Sequence, residues 1–481
     1  MPEVQRQDDN TLRVPRQGRM LTDATIFARS EIPLEQEALD QLCDAASIDP
    51  EGRVFATPDI HTGYGVPIGC VWASRKFISP AAVGYDVNCG MRLMTTPLEA
   101  ADVDVRPLAD SIRRDIPLGE GGSNAELTRE RTVELLSRGV SAVDMLCRMN
   151  PRFAKAFRGD ELAEDLACIE DTGALAADAS CVPGRAVDRG RVQFGTLGGG
   201  NHFIELQRVD RVFDATLADR WGLFEGQFVI MVHSGSRGLG HEIGGHFMRA
   251  ALDEAQRLSL PLPSRNLAYV PIDSDVGRQY YEAMKCAANF AYANRQVMAT
   301  LIRHDVRHLL EGDLPMPLVY DVAHNIAKME SMDGRTYCVH RKGATRAFPP
   351  SRMAGTPFAA TGQPVLIPGS MGTASYLLVG VESGKRSFYS VNHGAGRVMS
   401  RTEASGPKRR GKSAGAAGGA ISDEAFTRSM DGIYLLCRDR HRIKEEAPQA
   451  YKDIEPVIDT VEGAGLARRV ARMVPLAVLK G

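Results

Sequence analysis

Several short apolar runs of β type, each ending in a polar side chain of the kind that binds metals, limit the folds open to this chain. SPAAVGYDVNCGMRLMTT carries Asp86 and Cys89, RVQFGTLGGGNHFIEL carries His202, FVIMVHSGSRGLGHEIGGHFM carries His233, and PLVYDVAHNIAKME carries His324. Functional side chains gather at strand ends, and such ends can converge however far apart they lie in sequence. The length of 481 residues alone suggests roughly three domains. Independent domains would then have to share one site, so the pattern favours a single interlaced domain.

One carboxylate, one thiolate and three imidazoles suffice for two cations if the sulfur bridges them. Asp86 and Cys89 stand three apart in DVNC, a spacing that lets both reach neighbouring ions. Two cations about 3.5–4 Å apart are a recurrent device for holding phosphate oxygens. Ligand softness by itself points to zinc or iron, since manganese prefers oxygen. A lone cysteine is more often a buried structural residue, and the five-residue set is what argues otherwise. The nine cysteines form no CxxC pair, and neither an apolar leader nor a membrane span of about 18 residues is visible. The expected setting is a reducing cytoplasm, where a thiolate persists. A net charge of −2 leaves any nucleic-acid binding to local patches.

A second centre lies in SVNHGAGRVMSR. His393 precedes Gly394, Ala395, Gly396 and Arg397, whose N–H groups and guanidinium suit phosphate oxygens. This reads as a nucleophile or a phosphate clamp, against the plainer reading of a turn with a satisfied histidine. A neutral imidazole that attacks an activated phosphorus forms a high-energy P–N bond. Glu205 is placed to read guanine by accepting from N1–H and N2–H, with Lys480 as a nearby charge. Asp59 and His61 either support a site or satisfy a turn. The basic block His340, Arg341, Lys342 and Arg346 suggests phosphate contact or a solvated loop. His304 and His308, at i and i+4 beside Arg303 and Arg307, read as a solvated or RNA-facing surface.

Along the chain, composition gives residues 1–19 as a flexible tail, ahead of the folded part from residue 20 to 481, with a flexible insertion near 404–420. Helical spacing is expected over 34–46, over charged peripheral segments from 105 to 165, over 273–310, after Asn325 and around Tyr451. PGSMGTAS reads as a polar loop between two strands.

The motifs GYDVNCGMR, GTLGGGNHF, VHSGSRGLGHE, DVAHNIAKME, VHRKGATRAF, PGSMGTASY, HGAGRVMSR and the terminal KG, in this order, resemble the RtcB family of GTP-dependent RNA ligases from about Met20 to Gly481. The resemblance implies a single α+β domain with β-sheets flanked by helices around a deep active-site cleft. It implies an enzyme that joins RNA 3′-phosphate or 2′,3′-cyclic phosphate ends to 5′-hydroxyl ends, in tRNA splicing or RNA repair. The implied route runs through a histidine–GMP intermediate and an activated RNA-(3′)pp(5′)G end. Carried onto this chain, it makes Cys89 the thiolate bridging two Mn²⁺ ions, with His202 and His233 completing one site and Asp86 and His324 the other. It makes His393 the nucleophile. It lines the GTP site with Asn201, His202, Phe203, Ile204, Glu205, His324, Asn325, Pro368, Gly369, Ser370, Met371, Ser375, His393, Gly394, Ala395, Gly396, Arg397, Tyr451 and Lys480. The implied partners are RNA and an archease-type activator, for a cytoplasmic monomer with no membrane attachment. Asn392, Thr62 and the segment near 410 depart from the family pattern. The rival readings are a Mn-dependent cyclic-phosphate phosphoesterase, which needs no covalent histidine, and a non-catalytic RNA-binding protein.

Overall fold

The computed structural model describes residues 2–310, 312–406, 419–439 and 442–481. Two large sheets carry the α+β architecture. The first orders its strands as Gln5–Asp8, Thr11–Val14, Ala24–Phe27, Arg53–His61, Ile68–Ser74, Arg335–Lys342 and Asn325–Met332. The second runs Leu318–Ala323, Gly90–Glu99, Gln227–Ser234, Phe203–Val212, Ala467–Lys480, Ser375–Gly380 and Pro364–Ile367, with Tyr434–Cys437 parallel to Ala467–Lys480. Apolar runs such as FVIMV fill the central strands because both faces of Gln227–Ser234 are buried. His324 is the single residue between the edge strand of the second sheet and the edge strand of the first. The seam between the sheets therefore falls at a candidate ligand.

The helix Asp275–Leu309 is 35 residues long and starts at Ser274, whose hydroxyl accepts from the Gly277 N–H. From Cys286 to Arg303 every residue is buried, so it is a core helix on all faces rather than an amphipathic surface one. Its polar residues are satisfied inside. Arg295 donates to both oxygens of Asp321, while Arg92 Nε donates to the same carboxylate at 2.8 Å. Arg303 forms a two-pronged pair with Asp165, which places it in the core beside a half-buried His304; His308 alone of this group is exposed.

Several expectations change. The first nineteen residues supply a hairpin to the first sheet, with Leu12 and Val14 buried, in place of a free tail. Asn325–Met332 is a strand paired antiparallel with Arg335–Lys342, not a helix. The helices between 105 and 165 are more than surface, since Leu108, Ile112, Leu135 and Leu146 enter the same apolar core as the long helix. The basic block is neither a solvated loop nor a phosphate patch: Arg341 pairs with Glu330, Arg346 with Glu170 and Asp171, and His340 stacks on Trp72. The helix over Gln36–Ala45 and the loop between Pro364–Ile367 and Ser375–Gly380 lie where the pattern put them. Most of the expected insertion near 404–420 lies outside the described residues. Among the described residues, no helix is long and apolar enough to cross a membrane.

Candidate active site

Asp86 and Cys89 occupy the turn that leads into Gly90–Glu99. Asn88 takes the left-handed conformation there, φ +51°, which Asn tolerates better than most side chains. Its N–H donates to Asn325 O at 2.7 Å, and its side-chain amide donates to Ala288 O at 2.8 Å. Sheet register brings in the next ligand, because His233 pairs with Met91 on one side and Phe203 on the other. His202 stands immediately before Phe203, and His324 donates its N–H to Cys89 O at 2.9 Å. Arg295 locks the frame by donating to Asn88 O at 2.9 Å and Ser234 O at 2.8 Å.

The five side chains converge as two groups that share one sulfur. Asp86, Cys89 and His202 form one, and Cys89, His233 and His324 the other. His202 Nε2 lies 2.7 Å from Asp86 Oδ2 and 3.3 Å from Cys89 Sγ, while its Nδ1–H donates to Leu197 O at 3.1 Å. His233 Nε2 lies 3.1 Å from Cys89 Sγ and 3.1 Å from His324 Nε2. Cys89 is common to both groups, which place His202 with Asp86 and His233 with His324, where the resemblance implies His202 with His233 and Asp86 with His324. His233 reaches His324 across the single strand Gly90–Glu99, which pairs with both Gln227–Ser234 and Leu318–Ala323, while His202 is held from the glycine loop. In that loop Gly198 has φ +109°, and a Cβ there would lie 2.3 Å from His202 Nδ1 and 2.2 Å from Arg237.

The donor set fits a pair of transition-metal ions. Burial drives the His233 and His324 imidazoles well below their ordinary value, so both are neutral and able to ligate. Burial, with Asp86 beside it, pushes the Cys89 thiol up, so a thiolate there requires a bound cation to hold it.

His393 follows the short strand Ser390–Asn392, and its ring centroid is 4.9 Å from that of His324. Its Nδ1–H donates to Asp59 Oδ2 at 2.6 Å, and its backbone N–H donates to the same oxygen at 3.3 Å. Nε2 is left as the free nitrogen. Asp59 is fully buried, and Thr57 donates to its other oxygen at 2.6 Å. Burial alone would raise this carboxyl, but the bonds from His393 and Thr57 hold it below the ordinary carboxylate value. Gly396, φ +82°, allows the loop to close on this pair, since a Cβ there would come within 2.4 Å of Asp59 O. Asp59 is thus the support for which the sequence left a choice, and His61 turns back so that its Nδ1–H donates to Asp59 O at 2.7 Å.

A cavity of about 720 Å³ opens over His393 and His233. Its wall includes Asn201, Phe203, Asn325, Pro368, Gly369, Ser370, Met371, Gly394, Ala395, Gly396, Arg397, Tyr451 and Lys480, all expected at a nucleotide site. Other expected residues lie behind it. Ile204 is in the core, and Glu205 and Ser375 are buried together around Gln207, which donates to Glu205 at 2.7 Å and to Ser375 at 3.2 Å. Burial pushes the Glu205 carboxyl up to about 8, against the pull of Gln207 and Lys480. Arg397 is also committed: its nitrogens donate to Met399 O, Glu445 O and the Tyr451 hydroxyl, so the guanidinium shapes the loop instead of presenting a free fork.

The sequence reading missed Glu446. It is buried in the wall among Arg401 at 3.1 Å, Arg397 at 3.6 Å and Lys480 at 3.9 Å, and it accepts from the Tyr451 hydroxyl. No local signal in IKEEAP distinguishes it from its exposed-looking neighbours.

A histidine held by a buried carboxylate lies beside five candidate metal donors and under a cavity of about 720 Å³, an arrangement suited to group-transfer chemistry. The family model described as tRNA-splicing ligase RtcB matches residues 41–481. The tRNA-splicing ligase RtcB of Thermococcus kodakarensis is 40% identical, with 98% of this chain and 96% of the relative covered. That of Archaeoglobus fulgidus is 41% identical over 93% of this chain and 92% of the relative. The RNA-splicing ligase RtcB of Mycobacterium tuberculosis is 42% identical over 89% of this chain and 96% of the relative. The chain belongs to the RtcB family and is an RNA ligase.

Proposed function

We propose that this ligase joins RNA 3′-phosphate or 2′,3′-cyclic phosphate ends to 5′-hydroxyl ends with GTP and Mn²⁺, in tRNA splicing or RNA repair. The observation that carries the reading is His393, held at Nδ1 by Asp59 at 2.6 Å with its ring against that of His324. With Nδ1 protonated, the Nε2 lone pair attacks the α-phosphorus of GTP, the bond to the β-phosphate oxygen breaks, and pyrophosphate leaves. Asp59 stabilises the imidazolium character that develops. An oxygen of the RNA 3′-phosphate then attacks the same phosphorus, and the N–P electron pair returns to Nε2, giving RNA-(3′)pp(5′)G. Attack of the 5′-hydroxyl on the RNA phosphorus releases GMP and closes the strand. A cyclic end is first opened to the 3′-phosphate.

Asp86, Cys89, His202, His233 and His324 are the residues that would hold Mn²⁺. When bound, the metal supplies Lewis-acid stabilisation of phosphate charge. Manganese follows from the family resemblance, since softness alone favours zinc or iron. Glu205 is the residue that would accept from guanine N1–H and N2–H, and Gln207 already donates to its Oε2 at 2.7 Å. The same reading has the chain act as a cytoplasmic monomer, with an archease-type activator as partner.

The deciding experiment is incubation with GTP labelled at the α-phosphate plus Mn²⁺. An acid-labile, alkali-stable label on the protein that His393→Ala abolishes is the expected result. Hydrolysis of cyclic ends without any label would instead support the phosphoesterase reading, and RNA binding without either activity the non-catalytic one.

A further inference from the structure

We infer that Tyr64, Tyr85 and His241 form a base-stacking platform that seats the single-stranded end of an RNA substrate beside the metal cluster; the inference deepens the RNA-end chemistry proposed above. Tyr64 and Tyr85 are 41% and 36% exposed, among the few large aromatics of this chain at the surface. Their ring centroids are 6.0 Å apart, and Tyr85 stacks on the exposed His241 at 4.6 Å and 22°. Tyr85 and His241 cover each other face to face, and Tyr64 is tilted by 48° against Tyr85, so a base lies on an outer ring face of the set and not between Tyr85 and His241.

The surface is built, not incidental. Tyr85 is anchored because Gly244 of the helix Arg237–Arg257 lets the chain pass close by: a Cβ on Gly244 would meet Tyr85 Cα at 3.3 Å. Tyr64 is anchored through its carbonyl, which accepts from the buried Lys342, itself bound to Ala81 O at 3.0 Å. Exposed aromatics on a rigid frame lose little entropy on binding, which is what a stacking surface needs.

Three observations select RNA as the occupant. The platform is continuous with the active site, since Tyr85 directly precedes the ligand Asp86 and Tyr64 directly follows Gly63 of the cavity wall. Its charge is complementary to a phosphate backbone. Arg185 and Arg189 share the single carboxylate of Glu242, the residue after His241, leaving an excess of positive charge. Arg249 lies one turn further on: a Cβ at Gly245 would sit 3.7 Å from Arg249 Nη1 and 3.9 Å from Tyr85 Cε1. Aromatic rings interleaved with arginines bind single strands with little regard to sequence, because every base has a π face. That suits an enzyme whose chemistry acts on the ends of the strand.

The test uses the full chain and a short oligoribonucleotide carrying 2-aminopurine at its terminal base, in two forms, one ending in a 3′-phosphate and one beginning with a 5′-hydroxyl. Binding is read without GTP, so failure of the guanylylation chemistry does not affect it. The expected result is fluorescence quenching with one of the two forms, which identifies the end seated there. Tyr85→Leu and Tyr64→Leu should each weaken that affinity about tenfold or more and lose the quench, while Tyr85→Trp retains both. Arg249→Gln should lower the affinity together with its salt dependence. Metal content and, where the label forms, protein–GMP formation should be unchanged in Tyr64→Leu, which marks a folded protein. Unchanged RNA affinity in the Tyr64→Leu/Tyr85→Leu double variant overturns the inference. It does so equally if that variant instead loses association with a second copy or a protein partner.

Discussion

Asp59 decides what His393 can do. A carboxylate at Nδ1 fixes the tautomer that leaves Nε2 unprotonated, and an amide in its place can donate to Nδ1 and move the proton to Nε2. Asp59→Asn should therefore lower protein–GMP formation by roughly 10²–10⁴-fold with little change in thermal stability, measured as label per protein at fixed GTP. The metal ligands give a second residue-level expectation. Because Cys89 belongs to both groups, Cys89→Ala should lose both ions by elemental analysis, whereas a His233→Ala/His324→Ala double variant should lose one and keep the ion held by Asp86, Cys89 and His202. Loss of both from the double variant would restore the division in which His202 and His233 act together. Glu205 links site to pH. Its folded value, pushed up to about 8 by burial, lies above the unfolded reference of 4.5, so the folded chain keeps a proton that the unfolded chain releases. Its contribution to stability is complete below 4.5 and is lost as pH rises towards 8. Glu205→Gln should flatten that part of the urea-unfolding profile.

Among the elements, the helix Asp275–Leu309 is the frame on which the metal turn rests. Arg295 holds Asp321, Asn88 O and Ser234 O together, all buried. Arg295→Met removes the partner of a buried carboxylate and both backbone anchors, and should cost about 3–5 kcal/mol of unfolding free energy with loss of metal affinity. The helix itself was legible, since a long run of small and apolar residues under a Ser cap is a strong local signal. The segment after Asn325 was not. In Asn325–Met332 the buried Lys328 and Glu330 point inward, because Lys328 pairs with Glu170 and Asp171 and Glu330 with Arg341. Charges on the inner face erase the alternation that marks a strand, and their partners are more than a hundred residues away or across a hairpin. The opening hairpin was missed for a related reason: Gln5–Asp8 is exposed throughout, as an edge strand can be, so only Leu12 and Val14 betray it.

At the scale of the whole molecule, the two sheets meet where the chemistry is placed. The edge strand Leu318–Ala323 passes through His324 directly into the other sheet, and the last strand, Ala467–Lys480, runs beside Phe203–Val212 so that Lys480 pairs with Phe203 at the cavity. Deleting residues 1–19 should accordingly lower the melting temperature rather than leave it unchanged. It uncovers Ala24–Phe27 and takes away the buried Leu12 and Val14, each side chain worth about 1.5–3 kcal/mol when fully buried. The sequence by itself determined the chemical inventory: five metal donors at the ends of apolar runs, a histidine in a glycine loop, a single interlaced architecture and the ligase family. Those follow from residue type, order and periodicity, which are local. Only the tertiary structure decided which donors lie together, that Asp59 holds His393, that Arg397 is already engaged, and that Glu446 balances the cations of the cavity wall. Those depend on contacts between residues distant in the chain, which sheet register and burial set and no local pattern encodes.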